Sequence, residues 1–283
     1  MAVVLAAPAA TRIEQPDLSA YRGLGTWIDI YSPAFRADPA RTVAALAAHR
    51  VRTLFVETGN YRQRADVVGT STLSGLIDAA HARHIAVVGW YLPALTDAAR
   101  DLRRAVAAAT FTSTTGERFD SFALDIEASL VRSVPERTRR LLALSSRLRA
   151  AVGREYPLGA IIPSPVGMKL LPHYWPAFPY AQLARTYDVL LPMAYFSYRA
   201  HTPAAVARYV RTSVAIIRTE TGNETVPIHV IGGLSGATDK TAATAFVTAV
   251  ASCAVGGFSM YDFFSTRSSV WSVLQRAAAK AAG

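Results

Sequence analysis

The sequence predicts a single (β/α)8 barrel, and three observations carry that expectation. Short apolar, β-prone runs occur eight times along the chain. A stretch with apolar residues at helical spacing follows nearly every one. Acidic and aromatic residues gather at the trailing ends of the runs, and the leading ends show no comparable clustering of acids, as a barrel with its site at one face requires.

Taken in order, the strand candidates are Gly25–Tyr31, Val51–Glu57, Ile85–Tyr91, Phe119–Glu127, Leu158–Pro163, Tyr187–Tyr195, Ile228–Gly233 and Gly257–Asp262. Most are apolar on both faces, as parallel strands covered by helices should be. They recur at roughly 26 to 41 residues, the period of a strand–helix unit. The first helix begins at Asp38-Pro39, an N-cap aspartate followed by a proline at N1. Helical spacing then runs over Leu73–His84, Asp97–Thr110, Pro135–Val152, Pro203–Thr219, Lys240–Ser252 and Ser268–Ala281, with a shorter turn at Tyr180–Arg185. An open doubly wound sheet would want a glycine-rich phosphate loop after its first strand, and Tyr31-Ser-Pro-Ala-Phe35 is not one. No linker divides the chain. Residues 1–18 read as a leader or disordered segment and 19–283 as the barrel.

The chain has 283 residues, 51% hydrophobic and 18% charged, enough for one large core and without a membrane-spanning run. Met1–Ala10 ends in small residues of the A-x-A kind before Thr11, like the tail of a signal peptide, so a secreted or cell-wall-associated protein is expected, with a cytoplasmic one left open. The single cysteine, Cys253, excludes an intrachain disulfide and reads as a small buried apolar residue. Net charge is +10, carried almost entirely by arginines spread along the helices. That charge makes an anionic cell-wall polymer a plausible neighbour, while no nucleic-acid-binding motif is present. Neither a Walker loop nor a Gly-x-Ser-x-Gly elbow appears, and no cofactor or metal is expected. His81 and His84 lie at the quiet end of the barrel, where surface histidines outweigh a zinc site. Gly232-Gly-Leu-Ser-Gly236 fits a phosphate cradle or a tight turn equally well.

The chemistry gathers around Arg118–Glu127. In a strand, residues two apart share a face, so Asp125 and Glu127 project together, with Ala123 and Ser121 below them. Two carboxylates on one apolar strand repel, which makes sense if one pKa is raised and one group is protonated beside an ionised partner; the alternative is a solvated strand end with its charges paired to arginines. The other trailing ends bring Asp29, Tyr31, Glu57, Trp90, Tyr91, Met193, Tyr195, Tyr261 and Asp262. Aromatic faces stack on the C–H face of a pyranose while carboxylates take its hydroxyls, so the expected substrate is a polysaccharide.

Phe119-Asp-Ser-Phe-Ala-Leu-Asp-Ile-Glu127 resembles the fourth-strand signature D-G-x-D-x-D-x-E of family 18 glycoside hydrolases, the chitinase-like barrels. Asp120, Asp125 and Glu127 fall on its first, third and fourth acids, while Ser121 and Ala123 replace a glycine and the second aspartate. Leu191-Pro-Met-Ala-Tyr195 is similar to that family's sixth-strand motif, and Gly257–Tyr261 to its eighth, with Tyr261 in place of a tryptophan. Family 25 lysozymes also carry an Asp-x-Glu pair there, and Asp29 and Asp262 resemble their further acids. The resemblance implies a glycosidase acting on an N-acetylhexosamine polymer, chitin- or peptidoglycan-like. In that reading Glu127 is the proton donor, and Asp125 and Tyr195 hold the 2-acetamido group; Asp29, Tyr31, Glu57, Trp90, Tyr91, Met193, Tyr261 and Asp262 bind substrate. Loss of the acid at Ala123 leaves open a sugar-binding barrel without catalysis, or a non-acetamido substrate with Asp29, Glu57 or Asp262 as second carboxylate.

Overall fold

A computed structural model describes residues 16–281, so Met1–Ala10 and its leader-like pattern lie outside the described residues. Eight parallel strands form the sheet: β1 (Gly23–Ile28), β2 (Thr53–Asn60), β3 (Ala86–Leu92), β4 (Ser121–Asp125), β5 (Leu158–Ile162), β6 (Val189–Pro192), β7 (His229–Leu234) and β8 (Gly257–Tyr261). Their order is β6-β5-β4-β3-β2-β1-β8-β7. Bridges Leu190–Ile228 and Met193–Ile231, with a 3.0 Å bond from Leu190 N–H to the Pro227 carbonyl, join β6 to β7 and close the ring. The (β/α)8 expectation holds, with all eight strand candidates in place.

The outer layer consists of α1 (Pro33–Arg36), α2 (Pro39–Ala48), α3 (Thr70–His81), α4 (Ala98–Ala109), α5 (Val134–Val152), α6 (Pro165–Leu170), α7 (Tyr180–Thr186), α8 (Pro203–Thr221), α9 (Lys240–Ala251) and α10 (Ser268–Ala281). Side chains cap most starts: Asp38 accepts from Arg41 N–H, Asp97 from Arg100 N–H and Asp239 from Ala242 N–H. The third helix is displaced from its expected bounds of Leu73–His84. Gly69, in the left-handed region at φ +62°, sets its start, and Arg83 and His84 leave the helix, His84 at φ +55°. Sequence spacing missed α1 and α6, which are too short to show a period. Both begin Ser-Pro, a capping serine ahead of a proline at N1: Ser32 and Ser164 each accept a backbone N–H.

Two apolar layers result. One lies between strands and helices, and Cys253 is buried there. The other fills the barrel, with Tyr21, Trp27, Phe55, Trp90, Ala123, Leu191 and Met193 among its members. Trp27 stacks on Phe55 at 4.3 Å, and its indole N–H donates to Ser259 Oγ at 2.8 Å. The Tyr21 carbonyl can only accept, so His229 Nδ1–H donates to it at 2.9 Å, and the neutral Nε2 accepts from the Ser259 hydroxyl at 3.0 Å. Burial pushes that neutral imidazole down to about 4.

The leading ends of the strands carry acids too, but these are paired. His81 sits between Glu117 (2.7 Å) and Asp120 (3.0 Å), and Asp120 also accepts from Val87 N–H. Asp120, the first acid of the fourth-strand motif, thus ties β3 to β4 far from the barrel mouth. Arg149 reaches Asp188 at 2.6 Å. The Gly232–Gly233 pair answers to packing: a Cβ on Gly233 would fall 2.7 Å from Ser197 Oγ, and one on Gly232 3.0 Å from Phe246.

Candidate active site

The strand ends at Asp125, yet Ile126 N–H still donates to the Ile161 carbonyl at 2.8 Å, so the chain runs straight for one further residue. Ile126 packs outward, 1% exposed, and its neighbours Asp125 and Glu127 both face the barrel mouth. Asp125 is 8% exposed and its Oδ1 has no hydrogen-bond partner. Burial, then the charges of Glu127 and Glu57, push its pKa well above the usual carboxylate range. Glu127 stands exposed at the rim, and the protein around its carboxyl raises its pKa as well. Tyr174 O–H donates to the Glu127 carbonyl at 2.5 Å and holds the backbone there.

The mouth opens into a cleft with two lobes that share Glu127, Met193 and Tyr195. The first lobe, about 380 Å3, is lined by Asp29, Tyr31, Glu57, Asn60, Trp90, Asp125 and Tyr261 with other residues. The second, about 340 Å3, is lined by Ser164, Met168, Leu171, Tyr174, Tyr198 and Arg199 among others. Burial raises the Tyr195 phenol, and the nearby Asp125 and Glu127 carboxyls add to the effect.

Nine of the eleven site residues expected from sequence meet at this cleft: Asp29, Tyr31, Glu57, Trp90, Asp125, Glu127, Met193, Tyr195 and Tyr261. Tyr261 O–H donates to Asp29 Oδ2 at 2.6 Å, and Tyr31 N–H to Asp29 Oδ1 at 2.8 Å. Glu57 is 2% exposed and accepts from Asn60 Nδ2 at 2.8 Å and Ile30 N–H at 3.1 Å. Burial outweighs these bonds, and its pKa is raised.

Two residues require correction. Tyr91 follows Trp90 directly, and adjacent strand residues face opposite ways. Its side chain is buried toward the helices and donates to Asp101 at 2.8 Å. Asp262, next after Tyr261, turns its carboxylate to Ser265 N–H at 2.9 Å and shapes the loop. Phe196 likewise packs outward, on Phe246.

Several functional candidates were missed. Asn60 reaches the cleft because β2 carries a register shift between Glu57 and Gly59, so residues three apart share a face. Leu171 and Tyr174 stand on a loop and Tyr198 ends a single 3-10 turn, none of them with a period to read. Among the described residues the large exposed apolar side chains are Tyr31, Leu130, Leu170, Leu171, Tyr198 and Phe264, all in segments that leave the trailing strand ends. Exposure of this kind around one mouth suits an extended ligand.

No ion pair among the described residues engages Asp29, Glu57, Asp125 or Glu127. Nor do the described residues include three or more His, Cys, Asp or Glu grouped to hold a metal.

No family model matches the sequence, and no curated protein does. Solved structures do resemble it. An endo-1,4-beta-mannanase from Rhizomucor miehei superposes with a TM-score of 0.68 at 9% identity, covering 96% of this chain and 99% of its own. A GH18 chitinase from Cycas revoluta in complex with (GlcNAc)4 gives 0.65 at 12% identity, over 92% and 99%. A chitinase from Chromobacterium violaceum gives 0.62 at 14%, over 91% and 99%. At such identities the likeness is one of fold, and this chain has the barrel of these chitinases and mannanases.

Proposed function

We propose that the protein is a glycoside hydrolase that cuts an N-acetylhexosamine-containing polysaccharide, chitin- or peptidoglycan-like, with Glu127 as proton donor. One observation carries the reading: Asp125 and Glu127 stand side by side at the barrel mouth without a clamping cation. The paired acids at the opposite end show what a structural role looks like in this chain.

Glu127, whose pKa is raised by the protein around its carboxyl, gives its proton to the glycosidic oxygen as the C1–O bond breaks. Positive charge grows at C1 and is met by the substrate's own amide oxygen, which Asp125 and Tyr195 orient. Glu127, now ionised, takes a proton from the water that attacks C1, and the configuration is retained. Trp90, Tyr31 and Tyr198 supply faces for the sugar rings. The fold shared with chitinases and mannanases supports the polysaccharide class. A place outside the cell or at its wall belongs to the same proposal, supported by the pattern at Met1–Ala10 and the charge of +10. Among the described residues no helix is long and apolar enough to cross a membrane.

Reducing-end release from chitin and peptidoglycan oligomers tests the reading. Glu127→Gln should lower turnover by about a hundredfold to ten-thousandfold, the usual worth of a general acid, with the fold unchanged. A variant as fast as wild type removes Glu127 from the reaction. Sugar binding with no release by the wild type at any pH would instead identify a carbohydrate-binding barrel. That outcome is favoured by Ala123, which is fully buried in the apolar interior where the resemblance places an acid.

A further inference from the structure

The first lobe holds a row of acids that proton donation to one glycosidic bond does not need. Asp29 repels Glu57, Glu57 repels Asp125, and Glu127 repels Asp125. Tyr261, Tyr31 N–H, Asn60 and Ile30 N–H fix the orientation of Asp29 and Glu57, but all four donors are neutral. Arg62 is the single cation lining the lobe among the described residues, and its guanidinium lies over the Tyr61 ring at 5.3 Å. Two further groups lack partners: Asp125 Oδ1 and the Trp90 indole N–H, on side chains 8% and 6% exposed that line the same lobe. An acceptor and a donor buried without partners, beside a row of acids that no cation pairs, describe a ligand with a cationic donor and hydroxyls.

We propose that the polymer cut here is partly deacetylated, and that the Asp29–Glu57 side of the cleft seats a hexosamine unit bearing a free ammonium. The inference rests on the glycosidase reading and adds the substrate's charge to it. A metal ion does not fit, since the acids are not grouped closely enough to share one. A neutral amide offers one N–H and no charge. An ammonium offers three donors and the missing cation together. The reacting ring, beside Asp125 and Tyr195, keeps its acetyl group. Local acidity is set against a chain of net charge +10, so the attraction is confined to the cleft. Burial and mutual repulsion hold Glu57 and Asp125 above the usual carboxylate range, so an ammonium bound beside them lowers both and releases protons.

The test uses the full chain carrying Glu127→Gln, which binds without turnover, and titrates partly and fully N-acetylated glucosamine oligomers by calorimetry. At about pH 6 a sugar amine is protonated. The partly deacetylated oligomer should bind about tenfold tighter or more, with proton release seen as a dependence on buffer ionisation heat. Asp29→Asn and, separately, Glu57→Gln should erase that preference, and the second variant covers misfolding of the first. Equal or weaker binding of the amine-bearing oligomer overturns the proposal. If wild-type protein cuts fully acetylated oligomers without preference, this inference falls and the glycosidase reading stands. Cleavage of neither class removes both.

Discussion

Replacing Asp125 with asparagine should stabilise the protein while destroying its chemistry. Asp125 is 8% exposed, its Oδ1 has no partner, and Glu57 and Glu127 add negative charge nearby. In the unfolded chain an aspartate ionises near about pH 3.9. In the folded chain burial keeps it protonated to higher pH, so above pH ~4 the native state binds more protons than the unfolded state. Stability then falls as pH rises, by at most about 1.4 kcal/mol per pH unit for this group, until the folded pKa is passed. Asparagine has no such dependence. The asparagine amide is as buried and unpartnered as the protonated acid it replaces, so only the cost of ionising Asp125 separates the two proteins, about 2 kcal/mol near pH 7. For a chain of this size that is roughly 4 °C in Tm. Near pH 4 the two proteins should agree to within about 0.5 kcal/mol. Urea unfolding at several pH values, followed by the fluorescence of the buried Trp27 and Trp90, measures the difference. Glu57 and Glu127 remain in both proteins, so their direct contributions largely cancel, apart from relief of their repulsion with Asp125. A variant less stable than wild type by one constant amount at every pH would mean that Asp125 makes a stabilising bond, and the electrostatic argument would fail.

Other tests address the frame around the site. His229, held down to about 4 by burial, should stay the neutral Nδ1–H tautomer through mildly acid pH; its ionisation costs roughly 3 kcal/mol of stability, lost as pH falls from about 6.5 to about 4. A ring-nitrogen NMR titration with a midpoint near the ordinary value would contradict the Ser259–His229–Tyr21 chain. Asp101 is fully buried and accepts from Tyr91 O–H and Leu95 N–H, both at 2.8 Å. Asp101→Ala orphans both donors and should cost about 2–4 kcal/mol in chemical denaturation, with less added cost in a Tyr91→Phe background. Tyr198 is 64% exposed beside the second lobe, so Tyr198→Ala should weaken binding of long oligomers by about threefold to tenfold and leave Tm unchanged. Unaltered affinity would take the polymer path elsewhere.

Much of this site was legible because a strand imposes a period of two. Asp125 and Glu127 needed only that rule, and Trp90 needed one step more. Trp90 pairs with Ala123, which shares the inward face of β4, so Trp90 faces in and Tyr91 must face out. Reading the two aromatics as one pair at a strand end ignored that constraint. Asp262 failed for another reason: it lies past the end of β8, where its carboxylate accepts from Ser265 in the following loop. Asn60 could not be read by alternation, because the register shift in β2 places it on the face of Glu57. Tyr174 and Tyr198 depend on how the loops after β5 and β6 fold back over the mouth, and no local spacing encodes that. The Ser-Pro starts of α1 and α6 were visible in principle, through capping chemistry instead of periodicity.

Charge in this molecule is sorted by position more than by sequence neighbourhood. Glu136, on an exposed helix face between Arg139 and Arg140, is held down to about 2, and Asp66 is lowered by Arg103. Glu57 and Asp125 are the same residue types and shift the other way, because burial and like charges surround them. With 30 Lys and Arg against 20 Asp and Glu, partners are not scarce, so the lack of an ion pair to the cleft acids among the described residues is a feature of placement. The arginines that pair lie on the outer helices, as Arg103, Arg139, Arg140 and Arg149 do, while Arg62 and Arg199 line the cleft without pairing to its acids. Exposed clamps of the first kind contribute little to stability, and removing Arg139 should barely register. Carboxylates of the second kind oppose folding while ionised. A barrel that keeps such a row without offsetting it within its own chain leaves the compensation to whatever enters the cleft.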